Sequence, residues 1–70
     1  MKKFGRRIQD LRHKAHLRQQ DIADKCHVSV QAISKWERGR SCPDLLIIDD
    51  LAQALGVEVR DLFSYDLNGE

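Results

Sequence analysis

The apolar positions of this 70-residue chain recur at helical spacing almost throughout. Phe4, Ile8, Leu11 and Ala15 stand at i, i+4, i+7 and i+11, one stripe of an amphipathic helix at about 3–15. After a turn through His16, Leu17 and Arg18, the apolar trio Ile22, Ala23 and Cys26 predicts a short helix at about 19–26. His27 and Val28 make a tight turn. Ser29 then stands where an N-cap is needed, since its hydroxyl can accept one of the orphan N–H groups of the first turn. Val30–Arg38 forms the third helix, with Ile33 and Trp36 inward and Gly39 as its stop. Pro43 and Asp44 signal a fourth start. Its inward stripe reads Leu45, Ile48, Leu51, Ala52 and Leu55, and Gly56 ends it. A last short helix at about 59–64 offers Leu62 and Phe63. Strand-like alternation is confined to the four residues 57–60. The pattern predicts an all-α, compact five-helix bundle with short connections. It forms a single domain over 1–70, with a core at about 4–63 and a short tail at 64–70.

Composition narrows the class of protein. Apolar residues at 41% and charged residues at 33% suffice for one small core and argue against disorder. A chain of this size buries only about 60% of its unfolded surface, which excludes a large enzyme with a deep substrate cleft. The longest apolar run, Leu45–Ile48, is four residues, against the ~20 needed to span a bilayer. With no signal-like apolar stretch behind its basic start, the chain reads as cytoplasmic, with no membrane partner. Two cysteines, Cys26 and Cys42, are too sparse for a disulfide scaffold and read as reduced thiols.

The formal net charge of +1 hides a division along the chain. Residues 1–40 carry eleven Lys and Arg against four Asp and Glu, a balance of +7. Residues 41–70 carry one Arg against seven acids, a balance of −6. Such asymmetry points to a polyanion on one side of the molecule.

The decisive stretch is 17–40, LRQQDIADKCHVSVQAISKWERGR. A short helix, a tight turn and a second helix with a polar, basic outer face make a helix-turn-helix at about 19–38. In that arrangement the second helix enters the major groove of DNA while the first crosses the backbone. The chain resembles the lambda repressor/Cro class of helix-turn-helix domains, the xenobiotic-response-element-like regulators. The resemblance rests on Leu11-Arg12, Leu17, Gln19, Ile22-Ala23, Val28-Ser29, Ile33–Gly39, Pro43-Asp44-Leu45, and Leu51-Ala52 followed by Leu55-Gly56-Val57. It covers about residues 4–63. It implies a lambda repressor-like fold and a sequence-specific regulator of transcription, a prokaryotic or phage repressor bound to double-stranded DNA.

Residue roles follow from the helical faces and from that resemblance. With Ile33 and Trp36 inward, Val30, Gln31, Ser34 and Lys35 are the candidate base readers, with Arg38 beside them. Gln suits the bidentate adenine edge, Val a thymine methyl, and Lys guanine O6 and N7. Candidate phosphate contacts are Arg18, Gln19, Ser29, Arg38, Arg40 and Ser41. Gln19 opens a helix whose free N–H groups favour an anion, and the matching family residue commonly holds the DNA backbone. Arg18 departs from the Ser or Thr usual in the family at that N-cap, giving up a cap of about 1 kcal/mol for a charge. The resemblance assigns Arg12 and Glu37 to a structural ion pair between the first helix and the end of the third. His27 occupies a turn position that is often Gly with a left-handed backbone, which His tolerates with some strain.

Other chemistry finds little support. His13, His16, Cys26, His27 and Cys42 lack the spacing of a zinc site, so no metal and no cofactor are expected. No paired carboxylates, phosphate loop or nucleophile motif implies an enzyme, and no small-molecule ligand is evident. Leu46 and Ile47 lie off the inward stripe of the fourth helix. With Val59, Phe63 and Tyr65 they are candidate contacts of a homodimer on a palindromic operator. The rival reading is a protein-interaction module, either an antitoxin or a coactivator-like adaptor with the same fold.

Overall fold

Four helical segments with matching ends set the architecture. The computed structural model describes residues 2–64. In order these form α1 (Lys2–Lys14), α2 (Gln19–Cys26), α3 (Val30–Glu37) and α4 (Leu45–Leu55), followed by a 3-10 helix at Val59–Phe63. After each α-helix, an N–H two or three residues beyond its last residue bonds back five positions. Leu17 reaches Arg12, Val28 reaches Ala23, Arg40 reaches Lys35 and Val57 reaches Ala52, all at 2.9–3.1 Å. That closure needs a left-handed residue just before the donor. The four such residues are His16 and His27 at φ 58°, Gly39 at 73° and Gly56 at 74°.

The starts are equally local. Ser29 accepts the Ala32 N–H at 3.1 Å and Asp44 accepts the Ile47 N–H at 3.1 Å, each capping its helix. Arg18 has no acceptor atom to offer α2. Instead Asp21 reaches back and accepts the Arg18 backbone N–H at 2.8 Å, one half of a capping box.

The described residues form an all-helical fold, and the expected fifth α-helix is a five-residue 3-10 turn. Its bonds run i to i−3, from Asp61 to Glu58 and from Ser64 to Asp61. The tighter winding buries Leu62 between α1 and α4, against both of which the segment packs. α3 ends at Glu37, with Arg38 as its C-cap. Phe4, Ile8, Ile22, Ile33, Leu51 and Leu62 are fully buried. α2 packs against α3 and α4, and α1 against α3. The last contact depends on Gly5. A β-carbon there would collide with the Trp36 carbonyl oxygen and lie 2.7 Å from that of Glu37, so only glycine lets α1 come this close.

Two stripes are phased differently from the sequence expectation. Ala15 is exposed, because α1 stops at Lys14 and the chain turns at His16. Leu45, expected inward, is 88% exposed, whereas Ile47, expected outward, is half-buried against the core. At 3.6 residues per turn, Ile47 and Leu55 fall about 40° to either side of Leu51, while Leu45 falls about 120° away and Leu46 about 140°. Both leucines therefore point outward.

Candidate nucleic-acid interface

α3 presents Gln31 and Lys35 on its exposed side, with Arg38 following at its end. Neither Gln31 nor Lys35 has a side-chain hydrogen bond or ion pair among the described residues. Ser34 is half-buried. Val30 departs from expectation. It packs half-buried against the core, because its Cβ in the first turn leans back toward the α2–α3 turn. Arg38 donates through Nε to the Ser34 carbonyl at 3.3 Å, which holds its stem along the helix. Arg40 and Ser41 follow, both exposed. The only acid of α3, Glu37, is buried, so the exposed side of this helix carries no carboxylate.

Glu37 anchors that helix. Arg12 donates to it through Nε at 2.7 Å and Nη2 at 3.1 Å, and through Nη1 to the Leu17 carbonyl at 3.0 Å. Gln19 Nε2 adds a third donor, 3.0 Å from Glu37 Oε1. The guanidinium thus ties α1 to the α1–α2 turn and to the end of α3, while Gln19 ties in the start of α2. Buried charges need this degree of satisfaction, and no buried side-chain N or O among the described residues lacks a partner. Gln19, expected at a phosphate, is thereby engaged from inside, with one Nε2–H and its Oε1 left over.

Arg18, expected at a phosphate, already has a partner. Its guanidinium pairs with Asp21 at 2.9 Å on the open surface. The Asp21 carboxyl is held below its ordinary 3.8, first by the Arg18 side chain and then by the Arg18 backbone N–H. A phosphate at this corner must compete with Asp21. The i, i+3 spacing of the two was visible in the sequence. Ser29 is exposed but its Oγ already caps α3, leaving its hydroxyl hydrogen to donate.

Of the candidate dimer contacts, Leu46 is 85% exposed, Val59 is partly exposed, and Phe63 stacks one face on Phe4 at 5.2 Å. Ile47 is withdrawn into the fold and Tyr65 lies outside the described residues. Leu45 takes Ile47's place beside Leu46 on the surface. Cys26 is buried, which raises its thiol pKa, and Cys42 is exposed. Among the described residues no group of three His, Cys, Asp or Glu could hold a metal ion, and no helix is long and apolar enough to cross a membrane.

A family model, Helix-turn-helix, matches residues 8–62. The chain belongs to the helix-turn-helix family, in its lambda repressor/Cro-like form. It is 40% identical over 60 residues to the HTH-type transcriptional regulator DdrOP3 of Deinococcus deserti, covering 86% of this chain and 46% of that one. It is 36% identical over 56 residues to Multiprotein-bridging factor 1 of Debaryomyces hansenii, covering 80% of this chain and 37% of that one. The chain thus spans less than half the length of these curated relatives. The restriction-modification controller protein C.AhdI from Aeromonas hydrophila superposes with a TM-score of 0.84 at 35% identity, covering 89% of this chain and 94% of that one.

Proposed function

We propose that this helix-turn-helix domain is a sequence-specific, double-stranded-DNA-binding regulator of transcription, acting as a prokaryotic or phage repressor. The observation that carries the reading is the exposed side of α3, which offers Gln31 and Lys35 unpaired while its one carboxylate is buried on Arg12. A helix so presented can enter the major groove without repelling its phosphates. Gln31 pairs with an adenine edge, and Lys35 with guanine or a neighbouring phosphate. Arg38, Arg40 and Ser41 hold the backbone on one side of α3. Arg18, Gln19 and Ser29 hold it on the other. Two copies joined through the exposed start of α4 read a palindromic site with half-sites about one helical turn apart.

Selection of bound duplexes from a random pool, followed by titration at several salt concentrations, tests this. Gln31→Ala should flatten base preference at one position of each half-site, losing discrimination of about 1–3 kcal/mol. Equal losses on selected and random DNA would remove Gln31 from base reading. The likeness to Multiprotein-bridging factor 1 favours a second reading, an adaptor that uses the fold on a protein partner. Failure of the chain to bind any duplex in a salt-sensitive way would favour that adaptor.

A further inference from the structure

We propose that α1 carries a second phosphate-binding track, formed by Lys2, Arg6 and His13, which engages the DNA backbone flanking the half-site. The proposal rests on the DNA-binding reading above and extends it to residues that reading leaves unused.

At 3.6 residues per turn, Lys2, Arg6, Gln9 and His13 fall within a strip about 60° wide along α1. Lys2, Arg6 and His13 are exposed and Gln9 is half-buried. The strip lies next to the side of α1 that touches α3, the side carrying Gly5 and Arg12. Both of its ends are anchored beside the proposed phosphate contacts. At one end, a β-carbon built on Gly39 would meet the Lys2 Cα at 3.0 Å and its backbone N at 3.1 Å, so the start of α1 sits directly on the turn that leads into Arg40. At the other end, His13 Nε2 lies 3.3 Å from Arg12 Nη2, in the cluster that also holds Gln19 and the Leu17 carbonyl next to Arg18.

The strip contains no acid. The one carboxylate of α1, Asp10, lies one turn beyond Arg6 and about 40° around the helix from it, just outside the strip. Lys2 and Arg6 form no ion pair with any carboxylate among the described residues. Arg7, by contrast, turns to the far side and donates to the Asp61 carbonyl at 2.9 Å, stapling α1 to the 3-10 helix. Adjacent arginines therefore do different work: one secures the fold, the other is left free on the strip. Two exposed cations without a carboxylate partner, Lys2 and Arg6, on a strip that runs from one phosphate-facing corner to His13 beside the other, fit a phosphodiester backbone with its repeating charges.

Because the strip lies outside the recognition helix, its contacts fall beyond the bases that α3 reads. The test uses one duplex recovered from a random pool, prepared in two lengths. One ends at the edge of the outer half-site and the other carries about one further helical turn. The probe is the whole chain, with the Lys2→Ala/Arg6→Ala variant beside it. Both positions are exposed, and an unchanged melting temperature checks the fold.

On the long duplex the variant should lose about 0.9 per phosphate contact from the slope of log affinity against log salt. Each lost contact should also shrink, by about 3.5-fold, the drop in affinity between 50 and 200 mM salt. On the short duplex the two proteins should bind alike. Equal slopes on the long duplex overturn the track while leaving the DNA-binding reading intact. An equal loss on both duplexes also overturns the flanking assignment, since the contacts would then lie within the half-site. Absence of salt-sensitive binding by the unsubstituted chain overturns both readings together.

Discussion

Arg12 and Arg18 each hold a carboxylate at under 3 Å, yet the two pairs belong to different parts of the molecule's economy. The Arg12–Glu37 side chains are 10% and 2% exposed, and those of Arg18–Asp21 are 78% and 29% exposed. The first pair spans 25 residues and closes the helix-turn-helix from within. The second spans three residues and fastens only the start of α2. Ion pairing as such thus says little about role. What decides is how much water each charge has given up, because a desolvated charge cannot afford to lose its partner. A solvated one can exchange its partner for a phosphate.

The largest effect should come from breaking the buried pair. Arg12→Ala leaves Glu37 buried with only Gln19 to satisfy it, and removing one partner of such a pair costs about 3–5 kcal/mol. A 70-residue domain has about 4–10 kcal/mol of stability in all. The variant should therefore melt far below the parent and lose DNA binding by unfolding. Arg12→Met/Glu37→Met, which orphans no charge, should melt above either single variant. A folded Arg12→Ala protein that melts with the parent yet fails on DNA would move Arg12 into the interface.

The turn between the two arginines gives a smaller, opposite effect. His16 is held at φ 58°, and the residue after it, Leu17, supplies the carbonyl that Arg12 grips. A left-handed non-glycine residue costs about 1–2 kcal/mol, of which the extra chain entropy of glycine takes back part. His16→Gly should gain about 0.5–1 kcal/mol, visible as a melting point about 2–8 °C higher. A lower melting point would mean that the imidazole contributes more to this turn than its exposure indicates.

These positions also show where sequence reading succeeds. Ser29, Asp44, Gly39 and Gly56 were legible because each acts on backbone within a few residues of itself. His27 was legible through its departure from glycine at a known turn. His16 performs the same task, and only the shared closure of all four helices reveals it. The start of α4 misled because four consecutive apolar residues fit two helical phases equally well. The choice between Leu45 and Ile47 is made by α2 and the 3-10 helix packing on α4, not by the run itself. Gln19 and Gly5 were opaque for a related reason. Their partners, Glu37 and the carbonyls of Trp36 and Glu37, lie far along the chain, and only the fold brings them within reach. The exposure of the outer side of α3 was legible at Gln31 and Lys35. It misled at Val30, where burial depends on the preceding turn.

The smallest effects belong to the exposed pair, and they are best read on acid titration and on DNA. The Asp21 carboxyl is depressed by Arg18, so its contribution to folding is present above its ordinary 3.8 and is lost as pH falls below that value. Helix content of the parent and of Arg18→Ala should therefore run nearly together at neutral pH and converge fully in acid. On DNA, a phosphate gains Arg18 only by displacing Asp21. Arg18→Ala should then lower the salt slope by less than the 0.9 of an unencumbered contact, and Asp21→Asn should raise affinity for all duplexes alike. If Arg18→Ala lowers the slope by a full contact, Asp21 offers no competition, and the exposed pair is a resting place for an arginine that belongs to the DNA.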